Sequence, residues 1–241
     1  MSQKLFSGLY HQLWRDMTPD ALTDAEVEFI TSLLKEESKG NILDVMCGFG
    51  RHARKLAELG HTVQAIDEST TYIDELREFE NYNLKVSLTD IRELEISREY
   101  DSIICMGNSI GSLTKSEQHD FIKKSFDSLR PQGFLLINSW MITEIIARRF
   151  QAKEWFQVRD ITYMISNEYL FDPTRIESTH TLIHDDKVKE TIFDTDYILS
   201  ISEYYELFQN IGYTNIAVYS TPRKRKFKLG DEHCYIVAKK A

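Results

Sequence analysis

The chain has 241 residues, enough for one well-buried domain, and its 42% hydrophobic and 28% charged residues are ordinary for a globular protein. The formal net charge of −9 would oppose a polyanion, so nucleic acid is disfavoured as a partner, and the basic run at 222–228 is interpreted as a solvated hairpin loop. The three cysteines have no metal-ligand spacing, so nothing argues for disulfides or zinc, and no metal is expected. No stretch is long and apolar enough for a bilayer span or a signal peptide, so we expect a cytoplasmic protein with no membrane partner.

Two helical patterns come first. The earlier one, at residues 5–17, places leucines at helical spacing. In the second, Thr23 and Glu26 have the spacing of a capping box, and the helix is expected to end at Gly40. These N-terminal helices account for residues 1–40.

Strands and helices then alternate between residues 41 and 140. Short apolar runs are separated by amphipathic helical patterns, and two of the helices carry start signals: Ser69 as an N-cap, and Thr114 with Glu117 as a capping box. Short apolar strands joined by helices are typical of a parallel sheet covered on both faces. The predicted fold class is therefore α/β with a doubly wound sheet.

After Trp140 the pattern changes. Segments rich in Thr, Ile and Tyr between residues 155 and 199, broken by Asp-Pro and Asp-Asp, predict an inserted antiparallel β meander. A helix capped by Ser202, a strand, the basic loop and a last strand then predict a C-terminal antiparallel hairpin at the sheet edge. We expect one domain, 1–241, with a core at 41–140 and 200–241 and a β insertion at 141–199 that would form a substrate lid.

The segment from Ile42 to Asp67 is a strand, a glycine-rich turn, a helix and a second strand. Gly48 and Gly50 lie where the first strand passes to the helix, so bare backbone N–H groups would face a ligand that can approach closely. An acid at the end of the second strand can accept both hydroxyls of a ribose, although a tight turn beside an acid is the purely structural alternative. The G-x-G-x-x-A spacing also fits a dinucleotide such as NAD. Asp44, ahead of the loop, suits a cationic amine better than a diphosphate.

Five segments, in order, resemble the motifs of class I S-adenosylmethionine-dependent methyltransferases. They are ILDVMCGFGRHA, AIDES, LTDIREL, YDSIICMGNSIGSL and LRPQGFLLIN, and the resemblance covers residues 41–140 and 202–239. It implies a seven-stranded Rossmann-like sheet and S-adenosyl-L-methionine as the cofactor. Met46 stands where the commonest first motif has glycine, and we interpret it as the mark of a subgroup with the C-G-x-G-R-H continuation. A Met46 side chain that blocked the pocket would remove the cofactor assignment.

The resemblance implies roles at the methionine end of the cofactor. Asp44, Gly48 and Gly50 would line the methionine moiety, with Asp44 acting on its amine. Tyr10 and Arg51 would reach its carboxylate, although Tyr10 also fits a plain amphipathic face and Arg51 a solvated cation. The cofactor-binding residues implied in all are Tyr10, Asp44, Met46, Gly48, Gly50, Arg51, Asp67, Glu68, Asp90, Ile91, Met106 and Gly107.

The same resemblance places the nucleoside and the sulfonium. Asp67 would bind the ribose hydroxyls. Asp90 would accept from the adenine amino group while the backbone N–H of Ile91 meets a ring nitrogen. The backbone of Met106 and Gly107 would lie near the sulfonium.

The fourth motif narrows the acceptor by exclusion. Asn108 is followed by Ser109 and Ile110 and not by the two prolines and aromatic residue common in enzymes that methylate nucleobase amino groups, so a small-molecule acceptor is expected. The insertion begins at the carboxyl end of the fifth strand, where doubly wound sheets bind ligands. The expected pocket residues are Trp14, Asn108, Trp140 and Trp155, with Met141 and Phe156 beside them; packing of the meander against the sheet is the alternative.

No side chain is assigned as a catalytic base. Holding a nucleophile and a methyl group in line can supply most of the acceleration in this displacement. His180 and His184 share a face of a predicted strand, but histidines so placed are more often surface or interface residues, and His11 has no stronger support.

Three functions stay open on the sequence alone. Methyl transfer from S-adenosylmethionine to nitrogen, oxygen or carbon of a small molecule is the leading hypothesis. A non-catalytic S-adenosylmethionine-binding partner or sensor domain and an NAD-dependent oxidoreductase are the alternatives. An exposed edge of the meander would allow a homodimer.

Overall fold

The computed structural model describes residues 8–34, 39–94 and 100–241. The helices are α1 (Gly8–Met17), α2 (Asp20–Thr31), α3 (Arg51–Glu58), α4 (Thr70–Arg77), α5 (Lys115–Ser128), α6 (Thr143–Arg149) and α7 (Ile201–Ile211). The strands are β1 (Asn41–Val45), β2 (Thr62–Asp67), β3 (Leu84–Leu88), β4 (Tyr100–Cys105), β5 (Leu129–Ser139), β6 (Lys153–Val158), β7 (Ile161–Phe171), β8 (Thr174–His184), β9 (Lys187–Tyr197), β10 (Tyr213–Tyr219) and β11 (Cys234–Lys240).

The larger sheet has seven strands in the order β10-β11-β5-β4-β1-β2-β3. Strands β1 to β5 run parallel, while β11 is antiparallel to both β5 and β10. The predicted doubly wound, Rossmann-like sheet with a C-terminal antiparallel hairpin is confirmed. Because the chain order reverses beside β1, the carboxyl ends of β1, β2 and β4 open onto one crevice.

Both faces of this sheet are buried, as the continuous apolar runs predicted. Along β1, Leu43 and Val45 pack into one hydrophobic cluster, with α5 and α7, and Ile42 packs into a second, with α2 and α3. All three side chains are fully buried. The alternation along a single strand therefore anchors the helices of both layers and fixes the position of the loop that follows Val45.

The insertion forms a separate four-stranded antiparallel sheet in the order β6-β7-β8-β9. The predicted meander is thus confirmed. Helix α6, which connects it to β5, was not predicted, because it has only seven residues and its N-cap, Ile142, makes no side-chain cap. It buries only two side chains, those of Ile145 and Ile146. A stretch that short gives too little periodicity to identify.

Two start signals were read correctly. Ser69 accepts from the backbone N–H of Tyr72 at the start of α4, and Thr114 forms a capping box with Glu117 at the start of α5. The cap of α7 was placed two residues late: the capping box is made by Ser200 with Glu203, and Ser202 lies inside the helix.

The predicted capping box of α2 is wrong. The helix begins at Asp20 directly after Pro19 and ends at Thr31 instead of Gly40, so Thr23 and Glu26 lie within it. Both are buried, on the side that faces α3. The start of the predicted first helix, at residues 5–7, lies outside the described residues.

Candidate active site

A cavity of about 600 Å³ opens at the carboxyl ends of β1, β2 and β4 and extends to the insertion sheet. One side, which we call the parallel-sheet side, is formed by the loops after these strands. The other, which we call the insertion side, is formed by side chains of β6 to β9. Helix α1 contributes Tyr10 and Trp14 between the two sides.

The glycine loop adopts the backbone that its residues suggested. Gly48 and Gly50 have φ of +56° and +74°, in the left-handed region where a Cβ is strained. A Cβ on Gly50 would also collide with the side chain of Leu76 from α4. Met46 has φ of +51°, which explains why the commonest motif has glycine there, and its half-buried side chain lies in the cavity wall with the cavity still open.

Two acids lie beneath the loop. Asp44 is 1% exposed, and among the described residues its Oδ2 has no hydrogen-bond partner. Burial, together with Asp67, raises the pKa of Asp44 to about 7, while Arg51 opposes the shift. Asp67 Oδ2 accepts from the N–H of Gly48 and its Oδ1 from the N–H of Ser69, each at 2.8 Å, so this carboxylate holds the loop to the end of β2.

Arg51 is not a solvated cation. Its Nη1 donates to Glu26 Oε2 and, at 3.0 Å, to Thr23 Oγ1, and its side chain is 15% exposed. Glu26 also contacts His52 Nε2 at 2.9 Å and accepts from Tyr235 Oη at 2.9 Å. Burial would raise the pKa of Glu26, but His52 and Arg51 together lower this pKa to about 2. Sequence reasoning missed this buried acid because it mistook Glu26 for a cap.

After the third strand, Asp90 and Ile91 lie in the cavity wall, and their role toward adenine stays a prediction. Asp90 caps a single 3₁₀ turn and accepts from Arg92, with Nε at 2.8 Å from its Oδ1 and Nη2 at 2.6 Å from its Oδ2. Arg92 also binds Glu68 at 3.0 Å. The hydrogen bond from Arg92 holds the pKa of Asp90 below its usual range.

The fourth strand ends in three cavity residues, Met106, Gly107 and Asn108. Gly107 has φ of +70°, and nothing lies within 4 Å of the position its Cβ would occupy. Asn108 is buried and left-handed, and its amide is fixed on both sides: Oδ1 accepts from Ser139 Oγ at 2.7 Å, and Nδ2 donates to Asp196 Oδ1 at 2.8 Å.

Two of the three predicted tryptophans line the cavity. Trp14 and Trp140 stack with ring centroids 6.2 Å apart. Trp155 does not belong to the site: it is 68% exposed and lies outside the cavity lining, whereas its neighbour Phe156 lies inside. Successive residues of a strand point to opposite faces, and β6 turns Phe156 inward.

The insertion side is made of alternate residues from four strands. Phe156 pairs with Tyr163, His180 with Ile165 and Asp194 with Ser178, so these side chains share the face that lines the cavity. Sequence reasoning missed Tyr163, Asp194 and Asp196. The period-two spacing of Asp194 and Asp196 is the signal that could have found them once the register was known.

The three histidines noted in the sequence lie in different places. His180 lies in the cavity wall and its Nδ1 is 2.7 Å from Tyr163 Oη. His184 is at the far end of β8, 2.7 Å from Asp160, and His11 packs on Tyr72 outside the lining. Within the described residues, no cluster of His, Cys, Asp and Glu could hold a metal ion, and no helix is long and apolar enough to cross a bilayer.

The residues present fit S-adenosylmethionine. Asp44 offers a buried carboxylate oxygen without a partner in the described part of the chain, which suits an ammonium group. The space beside Gly107, which a Cβ would enter, leaves room for a group against the backbone. The cavity volume also leaves space for a second small molecule.

Comparisons with known proteins agree with this geometry. Residues 42–133 match a family model described as a methyltransferase domain. The chain is similar to a glycine/sarcosine N-methyltransferase from Aphanothece halophytica, with 26% identity over 160 residues, covering 63% of this chain and 60% of that protein. It is also similar to a ubiquinone biosynthesis O-methyltransferase from Rickettsia felis, with 34% identity over 116 residues, covering 47% and 46%.

Among solved structures, the chain resembles the CcbJ methyltransferase from Streptomyces caelestis, with a TM-score of 0.82, 17% identity and 95% of each chain covered. This likeness shows the fold. The chain spans about half the length of the curated relatives it matches. The predicted methyltransferase class is supported by the match of residues 42–133, and the predicted fold by the solved structures. Residues 42–133 therefore match a methyltransferase domain, and the chain has the fold of S-adenosylmethionine-dependent methyltransferases of solved structure.

Proposed function

We propose that this protein transfers a methyl group from S-adenosylmethionine to a small-molecule acceptor. The observation that carries the proposal is the single cavity of about 600 Å³ that joins the glycine loop to the insertion sheet. A cofactor on the parallel-sheet side and an acceptor on the insertion side would share one space. The matched methyltransferase domain and the fold support the same reaction.

The parallel-sheet side would hold the cofactor through groups that the chain already orients. Asp44 would meet the amino group of the methionine moiety, and Asp67, fixed by two backbone N–H groups, would accept from the ribose hydroxyls. Asp90 and the backbone of Ile91 would face the adenine ring. These assignments rest on the motif resemblance together with the position of each residue in the cavity wall.

The chain's own contribution to the chemistry would be alignment and exclusion of water. When bound, S-adenosylmethionine supplies an electrophilic methyl group on a sulfonium. The open space at Gly107 and the fixed amide of Asn108 would place the acceptor in line with that group. Trp14, Trp140 and Phe156 would cover it and keep water out.

The acceptor atom is not decided by the relatives, since one is named for transfer to nitrogen and the other for transfer to oxygen. A small molecule is supported by the size of the cavity and by both names. A homodimer formed through β6 or β9, the outer strands of the insertion sheet, stays a prediction, as does the cytoplasmic location. Size-exclusion chromatography with light scattering tests the dimer.

Calorimetric titration with S-adenosylmethionine and S-adenosylhomocysteine tests the proposal. We expect binding to the unaltered chain and a loss of about tenfold or more in affinity for Asp67→Asn. Asp74→Asn is the matched control, because Asp74 is an exposed acid on α4 that pairs with Arg77 away from the cavity. Binding of NADH but of neither S-adenosyl compound would contradict the proposal and favour the oxidoreductase alternative.

A further inference from the structure

The cavity holds more carboxylates than cations. Its arginines are already paired with acids: Arg51 with Glu26, Arg92 with Asp90 and Glu68. The third, Arg149 at the cavity rim, is paired with Glu232. No lysine lines the cavity in the described part of the chain. Within the described residues, negative charge is therefore left in the wall without an arginine or lysine partner.

Apart from Glu154 on β6, the cavity carboxylates without an ion pair among the described residues fall into two groups. Asp44 and Asp67 lie on the parallel-sheet side, where the proposed cofactor brings an ammonium and a sulfonium. Asp194 and Asp196 lie together on the insertion side, two residues apart on one face of β9. No arginine or lysine side chain of the described residues forms an ion pair with either of them. Adjacent partly buried carboxylates without a cation are costly unless a ligand or a proton neutralises them.

Asp194 and Asp196 are held in place by neighbouring groups. Asn108, which follows the predicted sulfonium position, donates from Nδ2 to Asp196 Oδ1 at 2.8 Å. A Cβ on Gly111 would overlap this same oxygen, so a glycine at that position makes room for Asp196. Asp194 accepts from the N–H of Thr195 at 2.8 Å. Burial, and then the neighbouring Asp194, holds the pKa of Asp196 well above its usual range.

A separate observation points to a ligand at the same place. His180, on the neighbouring strand β8, is 8% exposed and lines the cavity, yet its Nε2 has no hydrogen-bond partner among the described residues. Its other nitrogen is held by Tyr163 Oη. Burial lowers the pKa of His180 to about 4, so the ring is neutral and cannot act as the missing cation for the acids. A buried polar atom left open in the wall is suited to a ligand's hydrogen bond.

We propose that Asp194 and Asp196 form the binding site for a cationic amine acceptor, with His180 Nε2 and the Tyr163–His180 pair completing the pocket beside them. This inference rests on the proposed methyl transfer and names its substrate class. Two carboxylates would select an ammonium over a hydroxyl, because only the ammonium brings a positive charge to the pair. A carboxylic or phosphorylated acceptor would be repelled unless its anionic group stayed outside the pair.

The same acids account for the proton that an amine must lose. An ammonium has no free electron pair, so one proton passes from the nitrogen to an Asp196 carboxylate oxygen before transfer. The nitrogen pair then forms a bond to the methyl carbon while the carbon–sulfur bond breaks and its electron pair stays on sulfur. The products are the methylated ammonium and neutral S-adenosylhomocysteine, and the proton leaves Asp196 for solvent. A carboxylate whose pKa is raised toward neutral pH is suited to this exchange.

Binding to the protein saturated with S-adenosylhomocysteine tests the site. The probes are ethanolamine, glucosamine and tyramine, each beside its hydroxyl analogue: ethylene glycol, glucose and 4-(2-hydroxyethyl)phenol. We expect at least one amine to bind about tenfold or more tightly than its analogue, and Asp194→Asn and Asp196→Asn to remove that preference. Both changes keep side-chain size, and unchanged S-adenosylhomocysteine affinity shows that each variant is folded.

Glu232→Gln is the matched control, because Glu232 lies at the same cavity but already has Arg149 as a partner. It is expected to keep the amine preference. Failure of the unaltered chain to bind S-adenosylhomocysteine would overturn the proposed function itself. Retained S-adenosylhomocysteine binding without a preference for any amine, or with the same preference in both aspartate variants, would overturn the acceptor site alone.

Discussion

The parallel-sheet side of the cavity is shaped by left-handed backbone in short loops, and the insertion side by side chains of paired strands. After β1 and β4, the left-handed residues Gly48, Gly50 and Gly107 turn the chain along the cavity wall, and the space beside Gly107 is open. On the insertion side, inward-facing side chains of β6 to β9 meet only because the register aligns them. A backbone site needs certain residues in one short segment, whereas a side-chain site needs only that distant strands pair correctly.

Glu26 belongs to neither pattern, and its loss is expected to have the largest effect. It is a single buried carboxylate on α2 that holds Arg51 and His52 at the start of α3, behind the glycine loop. Glu26→Gln leaves a nearly buried guanidinium without its counterion, so we expect the free energy of unfolding to fall by about 3–5 kcal/mol. Urea unfolding followed by circular dichroism measures this.

Glu28→Gln provides the control, since Glu28 is exposed on the same helix and should change the free energy of unfolding by less than about 0.5 kcal/mol. Equal effects of the two substitutions would show that the Glu26 network does not stabilise the loop. The parallel-sheet side would then depend on its motif residues alone.

Local periodicity predicted the α/β sheet, its hairpin and the insertion, and the resemblance of five segments to a known family implied the cofactor. The capping box of Thr114 correctly predicted the start of α5. Thr23 and Glu26 have the same spacing but lie inside α2, so they gave a wrong start. Trp155 was placed in the pocket because the phase of β6 depends on its pairing with β7, which no local pattern reveals. Asp194 and Asp196 were not predicted, because the face of β9 that they share depends on its pairing with β8.

Alanine substitutions at Gly50 and Gly107 distinguish the cost of backbone strain from the cost of a steric clash. Both have positive φ, but a Cβ on Gly50 would strike Leu76, whereas one on Gly107 would meet only open space. We expect Gly50→Ala to lower the free energy of unfolding by about 2–4 kcal/mol through strain and overpacking, and Gly107→Ala by about 1 kcal/mol through strain alone.

Gly107→Ala costs less stability than Gly50→Ala, but we expect it to have a large effect on ligand binding. Its new methyl group would occupy the space proposed for the sulfonium, so Gly107→Ala should bind S-adenosylhomocysteine weakly while staying folded. Thermal unfolding with and without S-adenosylhomocysteine measures both effects. A Gly107→Ala protein that is stabilised by the ligand as much as the unaltered chain would move the sulfonium away from this position.

Asp44 is expected to make the stability of the free protein depend on pH, and bound S-adenosylmethionine is expected to remove this dependence. Its folded-state pKa of about 7 lies above the unfolded value of about 4, so the unfolded chain ionises first as pH rises. Stability of the free protein should therefore fall between about pH 4 and pH 7. Asp44→Asn should remove the part of this fall that Asp44 contributes and raise the free energy of unfolding at pH 7.5 by about 1–2 kcal/mol, because its own buried amide offsets part of the gain.

The same substitution should weaken S-adenosylmethionine binding, because the ammonium group loses its counterion. Unfolding curves at pH 5 and pH 7.5, with and without the cofactor, test both statements. Asp101→Asn is a control in β4, where the carboxylate already accepts from the N–H of Asn41 and pairs with Arg130. A stability gain without a loss of cofactor affinity would show that Asp44 does not face the ligand.

The smallest effect on stability is expected from a change at Trp155, the one of the chain's three tryptophans that lies outside the cavity lining. Trp155→Phe should change the free energy of unfolding by less than about 0.5 kcal/mol, because the ring is exposed and packs against nothing in the cavity. S-adenosylhomocysteine should alter the fluorescence of this variant as it does in the unaltered chain, since Trp14 and Trp140 line the cavity. The paired change Trp14→Phe and Trp140→Phe should abolish the response while Trp155 still emits. A ligand-dependent signal from Trp155 alone would mean that β6 turns its other face inward when the ligand binds, and the side-chain register of the insertion side would have to be reassigned.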